Sequence, residues 1–188
     1  MKRAIVPALM ISLLLSACSD GAAAETALEA RRDVLAAAGE ISFSADITAF
    51  PGDEIFACSL ACTATPEEVS MEVTAPELVA GVRATVQSGE TTLRFADVML
   101  SVGGPDAGAV SPFSAAPLLI RALREGHIIR AWKETRDTVP LLAADIYADD
   151  KLELTMWFDA ASLAPVSARV CASGAEKLRC EIRDFKFT

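Results

Sequence analysis

The residue with the most specific chemistry is a cysteine near the N-terminus, in the run Leu15-Ser16-Ala17-Cys18. A branched apolar residue, two small residues and a thiol form the pattern that a lipoprotein signal peptidase cleaves. The thiol is needed because a thiolate is the nucleophile that takes up diacylglycerol before cleavage. The alternative is an ordinary secretory signal with a cysteine by chance, which four matching positions disfavour. The sequence therefore predicts that residues 1–17 are removed and that Cys18 is acylated.

The segment before this cysteine has the composition of an export signal. Met1-Lys2-Arg3 is basic, and residues 4–15 are apolar apart from Pro7 and Ser12. A bilayer span needs about 20 apolar residues, so this run is too short to be a transmembrane helix. We therefore expect a tether at residues 18–24 and a domain at 25–188, lipid-anchored outside the cytoplasm. The anchor would lie on the outer face of the cytoplasmic membrane, or in an outer membrane if the host has one.

Residue types that serve catalysis are scarce in the rest of the chain. His127 is the single histidine, which excludes a two-histidine metal site, and its position after Gly126 is typical of an ordinary boundary residue. The sequence has no Gly-x-Ser-x-Gly elbow, no phosphate-binding glycine loop and no GxGxxG pattern. These observations favour a binding protein over an enzyme, and they predict neither a cofactor nor a metal.

Four further cysteines would be exported with the domain: Cys58, Cys62, Cys171 and Cys180. Cys58 and Cys62 lie four residues apart on a predicted strand, about 13 Å, which is too far for a bridge. Cys171 and Cys180 flank a predicted hairpin and are neighbours, but their parity requires a one-residue bulge. Three alternatives stay open: a disulfide between Cys171 and Cys180, disulfides that pair them with the other two cysteines, and buried unpaired thiols. A zinc site is disfavoured by the Cys-x3-Cys spacing on an alternating strand.

Charge and length restrict the class of partner. Seventeen basic and 26 acidic residues give a net charge of −9. The charge becomes −11 once Lys2 and Arg3 leave with the signal, because both are basic. An acidic surface without a basic cluster disfavours nucleic acid and anionic lipid headgroups, so membrane attachment would depend on the acylated Cys18. The length that remains is enough for one domain with a substantial core.

Apolar periodicity predicts a mainly β domain. Residues 25–38 are rich in helix formers and precede Gly39, so we expect a helix there. Beyond it the period changes to two, the pattern of strands with one buried face. Such strands are predicted at residues 41–49, 56–62, 69–73, 82–86 and 151–158, and further strands at 93–102, 128–134, 165–171 and 178–187.

One later segment predicts a second helix. Residues 114–125 carry Pro117 in the first turn and an apolar stripe, and Gly126 ends them. The order is therefore a helix, a run of strands, one helix and more strands. We expect an α+β fold: a curved antiparallel sheet that forms an open half-barrel, with the helices on its concave side.

Several segments resemble the LolA/LolB-like lipoprotein-carrier superfamily, in particular its germination-lipoprotein (GerS-like) branch. They are a helix leading into Ile41-Ser42-Phe43-Ser44-Ala45, the segment from Val73-Thr74-Ala75-Pro76 to Val82, the Ser111-Pro112 step before the second helix, and Leu152-Glu153-Leu154-Thr155 running on through Pro165. The resemblance covers nearly all of residues 25–188 and includes no catalytic signature. It implies a half-barrel in proteins that bind rather than catalyse.

Two functional classes follow from this resemblance. In carrier and receptor members the concave face holds acyl chains, whereas in the germination branch the lipoprotein is a scaffold for a cell-wall-modifying enzyme. An anchored protein cannot shuttle, so the resemblance favours a scaffold with an envelope protein partner; a receptor for lipid or acyl chains is the alternative. The candidate ligand-facing residues, which would otherwise fill the core, are Phe43, Ile47, Phe56, Leu60, Met71, Leu154, Met156 and Phe158.

Overall fold

A computed structural model describes residues 5–52, 54–96, 98–103, 111–147 and 151–188. It has two helices, one short 3-10 helix at Glu77–Val79 and eleven strands in this part of the chain. The helices are α1 (Ile5–Ala36) and α2 (Pro112–Glu125). The strands are β1 (Ile41–Ala49), β2 (Phe56–Ala64), β3 (Glu68–Ala75), β4 (Arg83–Gln87), β5 (Glu90–Phe95), β6 (Val98–Gly103), β7 (His127–Arg136), β8 (Val139–Tyr147), β9 (Glu153–Asp159), β10 (Pro165–Ala172) and β11 (Ala175–Phe187).

All eleven strands belong to one curved, unclosed antiparallel sheet. Its order is β6-β5-β4-β3-β2-β1-β11-β10-β9-β8-β7, so most neighbours are consecutive hairpins. The long-range pairing of β1 with β11 joins two arms, one made of β1–β6 and the other of β7–β11. The first and last strands of the chain thus lie at the centre of the sheet. The predicted half-barrel architecture is confirmed.

Alternation along the strands separates an inner face from an outer face. In β1 every second residue from Ile41 to Ala49 is buried, and the polar residues between them are half-buried on the outer face. The pairing of β1 with β2 places Cys58 and Leu60 on the same inner face. Since strand side chains alternate, this register places the buried apolar residues of β1 and β2 on one face of the sheet.

The two helices cover this inner face. Ser111 caps α2: its hydroxyl accepts a hydrogen bond from the Ser114 backbone N–H at 3.2 Å, and Pro112 stands in the first turn. Leu119 and Leu123 are among the buried residues of α2, which packs against β1, β2, β3 and β11. Helix α1 packs against α2 and β7. A single large core therefore lies between the helices and the concave side of the sheet.

Three local expectations are corrected by the structure. Helix α1 begins at Ile5 and ends at Ala36, so it runs through the predicted signal segment instead of starting at residue 25. The strand expected over 93–102 is the end of β5 and most of β6, separated at Ala96, whose φ of +50° turns the chain. Strand β8 was not predicted.

Within the described residues, no helix is long and apolar enough to cross a bilayer.

Candidate functional site

Seven of the eight predicted ligand-facing residues meet in the core beneath the helices. These side chains are buried on the inner face: Phe43, Ile47, Leu60, Met71, Leu154, Met156 and Phe158. Phe56 is different, because it is the first residue of β2 and is 44% exposed. The structure thus brings seven of these residues together and leaves Phe56 at the edge of the sheet.

Little space remains between the helices and the inner face. The cavity there measures about 20 Å³ and is lined by residues such as Leu28, Leu35, Leu123 and Phe158. This is room for about one water molecule, whereas sites for drug-sized ligands occupy about 300–1,000 Å³. Where these described residues of the two helices and the second arm meet, the inner face is therefore a packed core and not an open pocket.

Three arginines hold the helices in place. Arg32 of α1 donates to the Gly126 carbonyl at 3.3 Å, where α2 ends. Arg124 of α2 donates to the carbonyls of Ala38 at 3.1 Å and Ala64 at 3.4 Å. The guanidinium carbon of Arg31 lies 4.4 Å from the Phe187 ring centre. These contacts tie both helices to each other and to the sheet, and we call the three arginines the helix clamp.

The helix clamp is incompletely satisfied. The Nε atoms of Arg31 and Arg124 are buried and have no hydrogen-bond partner. Burial also lowers the pKa of Arg31 by desolvating its guanidinium group. A buried donor without a partner costs free energy, so the closed arrangement of the helices is less stable than its apolar contacts alone would make it.

The four cysteines beyond α1 are unbridged thiols. Cys58, Cys62 and Cys180 are buried on the inner face, and burial raises the pKa of Cys62 and of Cys180 to about 12. Cys180 pairs with Ala168 across the hairpin, three residues from half-buried Cys171, which is about 10 Å along the strand. A bridge tolerates about 7 Å between Cα atoms, so the Cys171–Cys180 disulfide that the sequence left open would require a shift of this register.

No described feature indicates catalysis at the single histidine. His127 is exposed at the first position of β7, opposite Tyr147. Across the described residues there is no group of three or more His, Cys, Asp or Glu side chains that could hold a metal ion.

The outer face of the second arm carries a cluster that the sequence patterns did not reveal. Its buried members are Leu141, Ala143 and Trp157, with Trp132 and Val166 packed against them; we call this the outer cluster. The Glu134 carboxylate accepts hydrogen bonds from the indole N–H of Trp157 at 3.0 Å and of Trp132 at 3.3 Å. The hydrogen bond from Trp157 is the main cause of a lowered pKa of Glu134, and the bond from Trp132 adds to it.

A groove borders the outer cluster at the end of β8 and the start of β9. Its volume is about 500 Å³, and its lining combines apolar and polar surface. In it the Thr155 hydroxyl donates to Asp145 at 2.8 Å, and Arg130 forms an ion pair with the same carboxylate. We call it the outer groove. It was missed because its residues come from four strands; the two tryptophans on β7 and β9 are the one signal for it in the sequence.

Comparison with known proteins concerns the fold. No protein-family model and no curated protein matches the sequence. A DUF1329 family protein from Desulfovibrio piger superposes with a TM-score of 0.51 at 10% identity, covering 89% of this chain and 93% of the other. At so low an identity the likeness concerns the fold alone.

Two further solved structures align over most of the chain. A LolA superfamily protein from Nitrosomonas europaea gives a TM-score of 0.46 at 9% identity over 88% of this chain and 93% of the other. The complex of the CwlD amidase with the GerS lipoprotein from Clostridioides difficile gives 0.41 at 14% identity over 87% and 95%. The curved, open half-barrel expected from the sequence is the fold observed.

Proposed function

We propose that this chain is a lipid-anchored, extracytoplasmic binding module that engages a protein partner and catalyses no reaction. The observation that carries the proposal is the filled inner face. Met156 and Leu60 have almost no exposed surface and the remaining cavity holds about one water molecule, so a ligand would have to displace both helices. A module whose interior is occupied by its own side chains binds through its surface.

An exposed apolar rim on the first arm supports a protein partner. Ile55, Leu78, Phe95 and Val98 are 72%, 89%, 50% and 69% exposed. They share one end of the sheet, because the start of β4 pairs with the end of β5, and the end of β5 with the start of β6. The segment with Leu78 leads into β4, and Ile55 precedes β2, whose beginning adjoins the end of β3. Apolar side chains gathered in this way are typical of interaction surfaces.

The acylated N-terminus supports a partner on this rim in preference to the bilayer. Cleavage before Cys18 would make this residue, three positions before Gly21, the first of the remaining part of α1, which packs along β7. A methyl group built on Gly21 would lie 3.2 Å from the Ala131 carbonyl oxygen. Strand β7 is the sheet edge opposite to β6. The rim thus belongs to the arm that is farther from the anchor.

Site-specific photo-crosslinking in the native envelope tests this function. A photoreactive residue at Leu78 should give a discrete protein adduct, whereas one at exposed Gln87, at the other end of β4, should not. Both variants must remain membrane-associated and equally abundant. Equal labelling at the two positions, or none at Leu78, would remove the basis for a partner on the rim.

Binding of a lipid or acyl chain is the second candidate, and the helix clamp is the observation that favours it. Two buried guanidinium nitrogens without partners reduce the cost of moving the helices, and the surface beneath them is apolar. Native mass spectrometry of residues 19–188, expressed in an exporting compartment, separates the two candidates. A lipid-sized adduct that disappears on denaturation would favour acyl-chain binding, and an unmodified mass would favour the partner-binding module.

A further inference from the structure

The outer groove combines charged, hydroxyl and aromatic side chains, and two core residues, Ile146 and Leu154, also line it. It lies on the outer side of the second arm, outside the helices, and takes about 500 Å³ at the junction of β7, β8, β9 and β10. Ile129 and Tyr147, both on its wall, are 61% and 48% exposed, and Trp132 is half-buried beside them. This volume falls within the range of small-molecule sites.

The polar groups of the groove contact one another, and Asp145 can still accept further hydrogen bonds. Asp145 accepts from Thr155 through Oδ1 and from Arg130 through Oδ2. A carboxylate offers about four lone-pair positions, so roughly two remain for donors from a ligand. The Thr155 side chain is buried, which fixes its hydroxyl, and Arg130 uses its Nε for the ion pair. Rigid acceptors and donors beside aromatic rings can recognise neighbouring hydroxyl groups.

The described lining residues of the groove carry three positive and two negative charges, an excess of one. Arg130 is paired with Asp145, and the other lining charges are Lys151 and Arg169 against Glu153. A site selective for anions would need a larger excess of cations. An acyl chain would expose the ion pair to hydrocarbon at high cost. The lining therefore matches a neutral ligand that has both polar edges and apolar faces.

Addition of a peptide strand is disfavoured beside the groove. Strand β7 is an edge of the sheet, where an extended peptide could pair, but α1 packs along it and approaches the Ala131 carbonyl closely at Gly21. Peptide recognition by strand addition depends on open backbone groups of this kind. A ligand of the groove would therefore be recognised by side chains of the outer face.

From these contacts we infer that the outer groove binds a neutral oligosaccharide. Sugar rings present hydroxyl groups at their edges and C–H groups on their faces. The hydroxyls would donate to Asp145 and accept from Arg130, and the C–H faces would lie against Tyr147. Trp132, whose ring centre is 5.1 Å from the guanidinium carbon of Arg130, would lie beside the bound sugar. This site is on a different arm from the apolar rim, so it goes beyond the proposed partner-binding function and does not depend on it.

The test uses two defined neutral probes, cellotetraose and the β-1,4-linked tetramer of N-acetylglucosamine. In ¹H–¹⁵N spectra of residues 19–188, the Trp132 indole resonance should shift saturably with at least one of them. The variants are Asp145→Asn, which should lower affinity at least about tenfold, or 1.4 kcal/mol, and Tyr147→Ala, which leaves the ion pair intact.

A matched control lies on the first arm. Asp46 also accepts from a hydroxyl, that of Ser59 at 2.7 Å, and pairs with Arg183 at 2.7 Å, but it does not line the groove. Asp46→Asn should leave saccharide affinity unchanged. No saturable shift with either probe up to about 10 mM, a range that covers even weak binding, would overturn the inference. Binding that is equal in wild type, Asp145→Asn and Tyr147→Ala would overturn it as well.

Discussion

Substituting Gly126 by alanine tests the junction of α2 and β7, on which the covered inner face depends. A Cβ atom at this position would lie closer than 3.0 Å to the Ala122 carbonyl oxygen and to Cγ2 of Ile146. The φ of Gly126 is −61°, which any residue adopts, so the expected loss is purely steric. The Ala122 oxygen belongs to helix backbone and Ile146 is buried, so neither can move aside easily.

The magnitude follows from the cost of overpacking. Forcing a methyl group into a filled site costs about 1–3 kcal/mol. For a domain of this size each kcal/mol lowers the melting temperature by about 2–4 °C. Arg32 also donates to the Gly126 carbonyl, so displacement of this backbone would weaken the helix clamp. We expect Gly126→Ala to lie near the upper end of the range.

Gly39→Ala is the matched control. The Cβ atom added there would meet only the Thr188 carbonyl oxygen, at an ordinary contact distance of 3.7 Å. Its effect should stay within about 0.5 kcal/mol, or be slightly stabilising because alanine restricts the unfolded chain. Urea denaturation followed by tryptophan fluorescence measures both variants. Equal midpoints for the two would refute the steric reasoning and with it the close packing of Gly126 against Ile146 of β8.

Three more predictions concern single side chains. Glu134→Gln should destabilise the protein at neutral pH, because the hydrogen bond from the Trp157 indole holds the pKa of Glu134 below 4.5. This stabilisation is lost as pH falls through the lowered pKa, so the difference from wild type should shrink below about pH 4. Urea midpoints measured across pH test this. At about pH 8, a thiol reagent should modify half-buried Cys171 first and Cys180 only in denaturant, since burial raises the pKa of Cys180 to about 12. Cys171→Ser should abolish the fast phase of the modification reaction. Met156→Ala should cost about 2–5 kcal/mol because the side chain is fully buried; a loss under about 1 kcal/mol would indicate an open pocket at this position.

Sequence periodicity predicted the strands in which polar and apolar residues alternate, and failed at β8, where they do not. Strand β1 alternates without exception, so its limits were predicted correctly. Strand β8 was missed because Leu141, Leu142, Ala143 and Ala144 are all buried: alternate residues pack in the core and in the outer cluster. Such a run contains no period of two, and Pro140 at its start argues against a strand.

The candidate sites also differ in whether the sequence could predict them. Inner-face residues could be named because their position depends only on parity within one strand. The outer groove could not be predicted, since Arg130, Asp145, Thr155 and Arg169 meet only through the registers of β7 to β10. The exposure of Phe56, the first residue of β2, is not recorded by the strand pattern either.

The division of the sheet into two arms predicts that its two surface sites act independently. The rim lies on β2 to β6, whereas the nearest groove residue, Arg169, lies on β10; three strand spacings, about 14 Å, separate β2 from β10 along the convex face. Substitutions more than about 7–10 Å apart without shared partners have additive effects. Asp145→Asn should therefore leave crosslinking at Leu78 unchanged, and Leu78→Ala should leave saccharide affinity unchanged. Loss of either signal through the distant substitution would mean that the arms move together, and the central pairing of β1 with β11 would then be the element that transmits the change.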